Sequence, residues 1–385
     1  MRILDNADWG FPVPIHYGPG RIRDLPSLCA RHGIRNPLIV TDSGSSGLPF
    51  VDTIERALAK SGIGHAVYSD FSPDPVDEEV VRAGPAVEEG GHDAVIAVGG
   101  GSGMDAGKAT SLLAGRDMSV WDFEFGNRPK ACKGFPPLIC IPTTAGTGAE
   151  TESTAMITDT RRGIKGCVWH PDQKPVAAVL DPELTLELPQ NLTAWTGCDA
   201  LTHAVEAYVV PSFDPLCDGA ALEALRLIGA ALPRAVTDPG NLEARAAMLV
   251  GSCLAGVSFL KGLGLVHSIS HMIGAVHGTH HGLTNAILLP PVLRFNRNAI
   301  EDKCPAMIAA LGMAGNSAAD LETGVCAVLD RLDIPAGLGA IGVPGARSRE
   351  IARKASNDPA TGTNPRESTV DEIEAIFLEA LWTAR

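Results

Sequence analysis

Five short apolar runs, separated by helix-patterned stretches, organise the first half of the chain. "PLIVTD" (37–42), "GHAVYSD" (64–70), "AVIAVGGG" (94–101), "PLICIPTT" (137–144) and "VAAVLDPE" (176–183) are partly β-branched and close on Gly, Pro, Asp or Thr, which predicts strands. Between them, "VDTIERALAKSG" and "VDEEVVRAGPAVEEGG" carry apolar residues at helical spacing and stop at Gly. Strand and helix in alternation predict a parallel sheet with helices on its faces. The strands are apolar almost throughout, as strands covered on both sides must be.

After about Leu184 the pattern changes. "LTAWTGCDALTHAVEAYV", "GAALEALRLIGAALPRAV", "LEARAAMLVGSCLAGVSF" and "STVDEIEAIFLEALWTA" are Ala/Leu-rich and helix-periodic, and strand signals nearly vanish. The expected organisation is an α/β domain with a parallel sheet over 1–185 and an all-α domain over 186–385. The boundary falls in the Pro-rich "DPELTLELPQNLT". No internal repeat or low-complexity tail interrupts either half.

Composition narrows the function. The 385 residues are 45% hydrophobic and 20% charged, as in an ordinary globular protein, and only 5% aromatic. A formal net charge of −14 argues against nucleic acid and anionic membranes, whose phosphates need a Lys/Arg excess. No uninterrupted apolar run approaches a membrane span, and Asp5 and Asp8 stand where a leader peptide would be apolar. Nine scattered cysteines without a C-x-x-C pair predict reduced thiols and a cytoplasmic protein.

"AVIAVGGGSGMDAGKAT" (94–110) reads as a buried strand, a glycine run and a helix start, a phosphate-binding arrangement. It fails as a P-loop, because Ser102 occupies the first glycine position and Ala109 follows Lys108. The dinucleotide form G-x-G-x-x-A fits Gly101, Gly103 and Ala106, without the usual acidic residue downstream. Asp42, closing "LIVTD", offers a carboxylate to an adenosine ribose, or else caps the turn "SGSSG".

Five of the eleven histidines lie in "LVHSISHMIGAVHGTHHG" (265–282). "TGCDALTHAVEAY" places Asp199 and His203 four apart, on one face of a helix, within an apolar setting. A buried Asp and His need each other or an ion. His267 and His271 repeat the spacing, and His281 follows. A carboxylate with imidazoles suits Zn²⁺ or Fe²⁺. Composition leaves open which histidines ligate.

Together, "YGPGRI", "LIVTD", "AVGGGSGMDAGKA", "IPTTAGTGAETE", "LDPELTLELP", "TGCDALTHAVEAY" and "GLVHSISH…HHGLTNAILLP" make the chain resemble the iron-dependent (group III) alcohol dehydrogenases over most of 10–300. The resemblance implies a dinucleotide-binding α/β domain with a parallel sheet over 1–185 and an all-α metal-binding and substrate domain over 186–385, with metal ligands at Asp199, His203, His267 and His281 and a cleft histidine at His271 able to relay a proton. It implies a cofactor site at Gly99, Gly100, Gly101, Ser102 and Asp105, with Thr143, Thr144, Thr147, Lys165, Asp42 and Asp74. An acidic residue at position 42 goes with NAD rather than NADP, since a carboxylate repels a 2′-phosphate. The implied reaction is hydride transfer between nicotinamide and a small primary alcohol or aldehyde, assisted by Fe²⁺ or Zn²⁺, in a homodimer.

Three positions depart from the family pattern. Gly103 stands where the family has Pro, Asp74 where it has Asn, and Lys261 where Asn and Ala are typical. Lys261 is either a snorkelling surface lysine or an anion-binding group suited to a hydroxy acid. His277 is expected to shape the cleft mouth, and His280 to be cleft wall or structural. The alternatives are a hydroxy-acid or polyol dehydrogenase and, from another class, a non-catalytic NAD- or metal-binding sensor. Metal-free maleylacetate-reductase-like relatives are disfavoured by the four ligand positions, and a dehydroquinate-synthase-like lyase by the lack of its basic substrate-binding positions.

Overall fold

The computed structural model describes residues 7–9, 13–128 and 130–382. Asp5, and Thr383 and Ala384 at the end of the last helix-patterned segment, lie outside the described residues. By internal contacts the chain forms two compact units. One runs to Thr144 and resumes over Ala149–Glu187; the other joins Ala145–Gly148 to Leu188 and onward.

The first unit is α/β. Its elements are β1 (Ala7–Trp9), β2 (Ile15–Tyr17), α1 (Leu25–Arg31), β3 (Pro37–Val40), α2 (Pro49–Lys60), β4 (Ala66–Tyr68), α3 (Asp77–Glu89), β5 (Ala94–Gly99), α4 (Gly101–Leu113), β6 (Leu138–Pro142), β7 (Thr154–Asp159), β8 (Ile164–Trp169) and β9 (Ala177–Leu180). Seven strands form one sheet in the order β1-β2-β9-β6-β5-β3-β4, parallel except for the β1–β2 pair. The pleat sorts successive side chains onto two faces. Leu38, Val40, Val95, Ala97, Leu138 and Cys140 pack with Val80, Ala83, Ala106 and Ala109 of α3 and α4. Ile39, Ala94, Ile96, Val98, Ile139 and Ile141 pack with Leu25, Leu28, Ile54 and Leu58 of α1 and α2. Coverage on both faces is why the central strands β3, β5, β6 and β9 read as continuous apolar runs, whereas β4 at the sheet edge is only half-buried.

Two features were not anticipated. β1 and β2 add an antiparallel edge, and β7–β8 form a separate hairpin. In β7 burial alternates along "TAMITD", so the segment lacks the continuous apolar signature. Gly163, with φ of 60°, makes the turn.

The second unit is helical: α5 (Gln190–Val209), α6 (Pro215–Thr237), α7 (Leu242–Ser258), α8 (Leu265–His277), α9 (His281–Ile300), α10 (Cys304–Leu311), α11 (Ala318–Arg331), α12 (Ser348–Ala355) and α13 (Val370–Trp382). Among the described residues no strand follows Leu180. Several helices start at residues suited to capping orphan N–H groups. Asp214 accepts from Leu216 and Cys217, Asn241 from Ala244, and Ser317 from Asp320. The stretch Leu242–Lys261 is long and apolar enough to cross a membrane by length and composition, but 72% of its apolar window is buried inside the protein, as in a core helix. Among the described residues no cysteine forms a disulfide.

Candidate metal centre and cofactor turn

In the first unit, β5 runs into a glycine turn and then into α4. Gly99 has a φ of 139°, and Gly100 precedes the helix without a side-chain cap, leaving the first N–H groups of α4 uncapped by side chains. Gly100, Gly101 and Ser102 stay partly exposed. That geometry fits a pyrophosphate, which takes backbone N–H donors and the positive end of the helix dipole. Close helix–strand approach depends on Gly103 and Gly107. A Cβ at Gly103 would sit 2.6 Å from the Val98 carbonyl, and one at Gly107 2.4 Å from the Ala97 Cβ. The spacing G-x-G-x-x-A, read with Ala106 as the third position, therefore misses the contact that Gly107 makes.

Other anticipated cofactor residues surround this turn. Thr143 N–H donates to the Gly99 carbonyl at 2.9 Å, and Thr144 Oγ1 lies 3.4 Å from where a Gly100 Cβ would stand. The Ser102 hydroxyl donates to the Pro73 carbonyl. Asp42 caps its own turn: its carboxylate accepts the Ser45 N–H at 3.0 Å and the Ser45 hydroxyl at 2.8 Å. Asp74 accepts from Lys165 Nζ at 2.6 Å and from the Thr158 hydroxyl at 3.2 Å, so these two candidates form one ion pair. Burial pushes the Asp105 carboxyl up to about 7, with Lys108 and Lys165 pulling the other way. Lys108, the lysine of the rejected P-loop, is fully buried and donates to Glu152 at 2.9 Å and the Thr154 carbonyl at 2.8 Å. It braces the underside of α4. Thr147 groups with Ala145–Gly148 in the helical unit, apart from Thr143 and Thr144.

The helical unit gathers the four anticipated ligands. Asp199 and His203 come from consecutive turns of α5, His267 from the first turn of α8, and His281 opens α9. One ligand atom from each lies within 4.8 Å of all the others. Gly282 permits this. A Cβ there would meet the Trp195 carbonyl at 2.4 Å and Asp199 Cβ at 2.9 Å, so only glycine lets α9 start against α5. The His203 and His267 rings lie 4.4 Å apart between centroids, and His267 and His281 5.4 Å. Asn285 Nδ2 donates to Asp199 Oδ1 at 2.7 Å and lies 3.0 Å from His281 Nε2 and 3.2 Å from His267 Nε2. Burial, then His203, hold His267 well below its ordinary pKa, keeping a neutral imidazole with a lone pair to offer. His203 Nδ1 is buried without a hydrogen-bond partner. A buried carboxylate, three imidazoles and an orphaned ring nitrogen are the donor set of Fe²⁺ or Zn²⁺.

Three contacts escaped the sequence reading. Glu206, three residues past His203 on α5, takes His267 Nδ1 at 2.5 Å. Asp358 takes His271 Nδ1 at 2.9 Å. Asn285 bridges three ligand atoms. The Glu206 carboxyl is pushed up to about 7 by burial, against the N–H groups of Val266 and Gly264. The position of Glu206 on the ligand face of α5 was a usable signal. Asp358 had none, being 87 residues from its partner.

The remaining histidines divide. His271 stacks on His281 with centroids 5.5 Å apart and planes 12° from parallel. His280 Nδ1 accepts the Leu283 N–H at 3.4 Å as the cap of α9, and its ring lies 5.0 Å from Trp195. His277 ends α8, its Nε2 buried without a hydrogen-bond partner. Burial and then Arg347 lower its pKa. Lys261 fits neither expected role. Its side chain is fully buried, paired with Asp218, and lies 3.4 Å from the Tyr208 carbonyl near the end of α5. Lys303 donates there too, to Tyr208 at 2.7 Å and Val210 at 3.1 Å. Both cations satisfy carbonyls at the negative end of the helix dipole.

Comparison with known proteins identifies the family. The family model for iron-containing alcohol dehydrogenase matches residues 12–182, and that for the C-terminal region of the Fe-containing alcohol dehydrogenase family matches 193–381. The chain is 35% identical over 371 residues to the NAD-dependent methanol dehydrogenase of Bacillus methanolicus, covering 94% of this chain and 97% of that one. It is 35% identical over 380 residues to the 4-hydroxybutyrate dehydrogenase of Cupriavidus necator, covering 95% and 98%. Among solved structures, a 1,3-propanediol oxidoreductase superposes with a TM-score of 0.92 at 32% identity, covering 99% of this chain and 100% of that one. A nicotinamide- and metal-dependent oxidoreductase is the class that this fold and donor set define. The chain belongs to the iron-containing alcohol dehydrogenase family.

Proposed function

We propose that this oxidoreductase is an NAD- and Fe²⁺-dependent dehydrogenase of small primary alcohols and their aldehydes, acting in the cytoplasm as a homodimer. The reading rests on one observation above all: four ligand atoms from Asp199, His203, His267 and His281 lie within 4.8 Å of one another in a buried setting. These residues hold the metal, with Zn²⁺ as the competing ion.

When bound, the metal supplies Lewis-acid polarisation of the substrate oxygen, and the nicotinamide supplies or accepts the hydride. The chain's own groups do the rest. Gly99, Gly100, Gly101 and Ser102, with Thr143 and Thr144, bind the pyrophosphate region through backbone N–H groups and hydroxyls. Asp105 supports that turn from within α4, and Thr147 is a further cofactor residue. Asp74 and Lys165 bind as a pair, offering acceptor and donor together, and Asp42 faces the adenosine ribose. His271, its Nδ1 engaged by Asp358, takes up the proton of the alcohol at Nε2 and passes it on. His277 lies at the end of the helix carrying His267 and His271 and bounds the substrate region. Lys261 serves α5 instead of an anionic substrate, which removes the residue that favoured a hydroxy acid.

The test is a screen of short aldehydes and hydroxy-acid semialdehydes with NADH on protein loaded anaerobically with Fe²⁺. Turnover of neutral short aldehydes is expected to exceed that of semialdehydes. Preference for the charged substrates would move the protein to the 4-hydroxybutyrate branch, and no oxidation of NADH would overturn the enzymatic reading.

A further inference from the structure

We propose that Glu206 is a positioning residue for the metal centre: its carboxylate holds His267 as the Nδ1–H tautomer, leaving the Nε2 lone pair for the ion. The inference rests on the reading of Asp199, His203, His267 and His281 as ligands and adds a residue that touches none of the bound groups.

Asp199, His203 and Glu206 stand at i, i+4 and i+7 of α5, so one helix face carries two ligands and the partner of a third. Glu206 is only 4% exposed. Its two oxygens have separate duties. Oε2 lies 2.5 Å from His267 Nδ1, and Oε1 accepts the Val266 N–H at 2.7 Å. Val266 is the second residue of α8, whose preceding Gly264 provides no side-chain cap. A Cβ at Gly264 would come within 2.8 Å of both Glu206 Oε1 and Asn364 Oδ1, and Asn364 Oδ1 accepts the Leu265 N–H at 3.3 Å. Glu206 therefore caps the helix whose third residue is the ligand it orients. Cap and tautomer are locked together within one turn.

Both duties demand an acceptor, and a carboxylate carries acceptor lone pairs on both oxygens. Glutamine is nearly the same size but has one acceptor and one donor. If its oxygen serves Val266, its NH₂ faces Nδ1 and forces the proton onto Nε2, the atom the ion needs. If its oxygen serves Nδ1, two N–H groups collide at the start of α8. An imidazole ligand is commonly fixed in this way by a partner on its other nitrogen, and losing that partner weakens metal binding by about 10- to 100-fold.

The experiment compares unsubstituted protein, Glu206→Gln and Asp199→Ala, each stripped of metal and titrated with Co²⁺ against a competing chelator. Glu206→Gln is expected to bind Co²⁺ about 10- to 100-fold more weakly, and Asp199→Ala to lose specific binding. Equal affinity in Glu206→Gln and unsubstituted protein, with binding lost in Asp199→Ala, overturns the role of Glu206 alone. Retained Co²⁺ in Asp199→Ala overturns the ligand assignment beneath it. The tautomer provides a readout that needs no variant at position 206. In metal-free, ¹⁵N-histidine-labelled protein, the His267 ring, assigned by its loss in His267→Ala, should be protonated at Nδ1. Protonation at Nε2 overturns the proposal, even if Glu206→Gln fails to fold.

Discussion

The cofactor turn and the metal cluster solve opposite problems. The turn at Gly99–Ser102 is made of backbone: its donors are N–H groups at the start of α4, and its sequence requirement is the absence of side chains. The cluster is made of side chains from three helices, collected over 82 residues between Asp199 and His281, and each atom must be aimed. The turn tolerates little bulk, and its donors are backbone N–H groups that do not titrate. The cluster needs every imidazole neutral and in one tautomer. A backbone site is thus written in one short stretch, whereas a side-chain site depends on partners such as Glu206 and Asn285 that never touch the substrate.

His267→Ala should break the contrast most sharply. Metal content and turnover are both expected to fall to background, while NAD affinity, measured by quenching or calorimetry, stays within about threefold of the original. A parallel loss of NAD binding would mean that the two sites are not separable. Next in size is Lys108→Met, which strands the Glu152 carboxylate beneath α4. Removing one partner of a buried pair costs about 3–5 kcal/mol, read as a lower urea midpoint, and Glu152→Gln in the same chain should recover part of it. An unchanged midpoint would show that the turn does not depend on its buried brace. The smallest effect is expected at Asp42. Asp42→Gly should raise the NADP-to-NAD ratio of kcat/KM about tenfold, equivalent to 1.4 kcal/mol, by removing charge from the ribose site. The same change removes the cap to Ser45, so a fall in stability without a change in ratio would leave only the turn-capping role.

Legibility in the sequence follows the same division. β3, β5, β6 and β9 could be read because a strand covered on both faces is apolar at every position; the half-buried edge strand β4 was legible from its short apolar run. β7 and β8 could not, since a half-exposed hairpin alternates and resembles loop. At the metal cluster, ordered motifs pointed to Asp199, His203, His267 and His281, but helical spacing alone favoured pairing His267 with His271. The structure turns His271 Nδ1 toward Asp358 and brings in His281 through the close approach at Gly282. Lys261 was misread for a similar reason: its counter-ion Asp218 lies 43 residues earlier, and neither residue signals the other. Local periodicity carries strands and helix faces. It carries no information about which distant acid meets which base.

The four residues Ala145–Gly148 have a consequence for recombination. They belong with the helices although they lie within the first half of the sequence, and Gly148 is pressed so closely on Gly256 of α7 that an added Cβ on either would fall within 2.8 Å of the other. A chimera spliced between relatives at residue 187 would give the helical unit of one parent the 145–148 segment of the other. Functional hybrids in this family should therefore be built with two exchanged pieces, the tail and this short insert, inherited from the same parent.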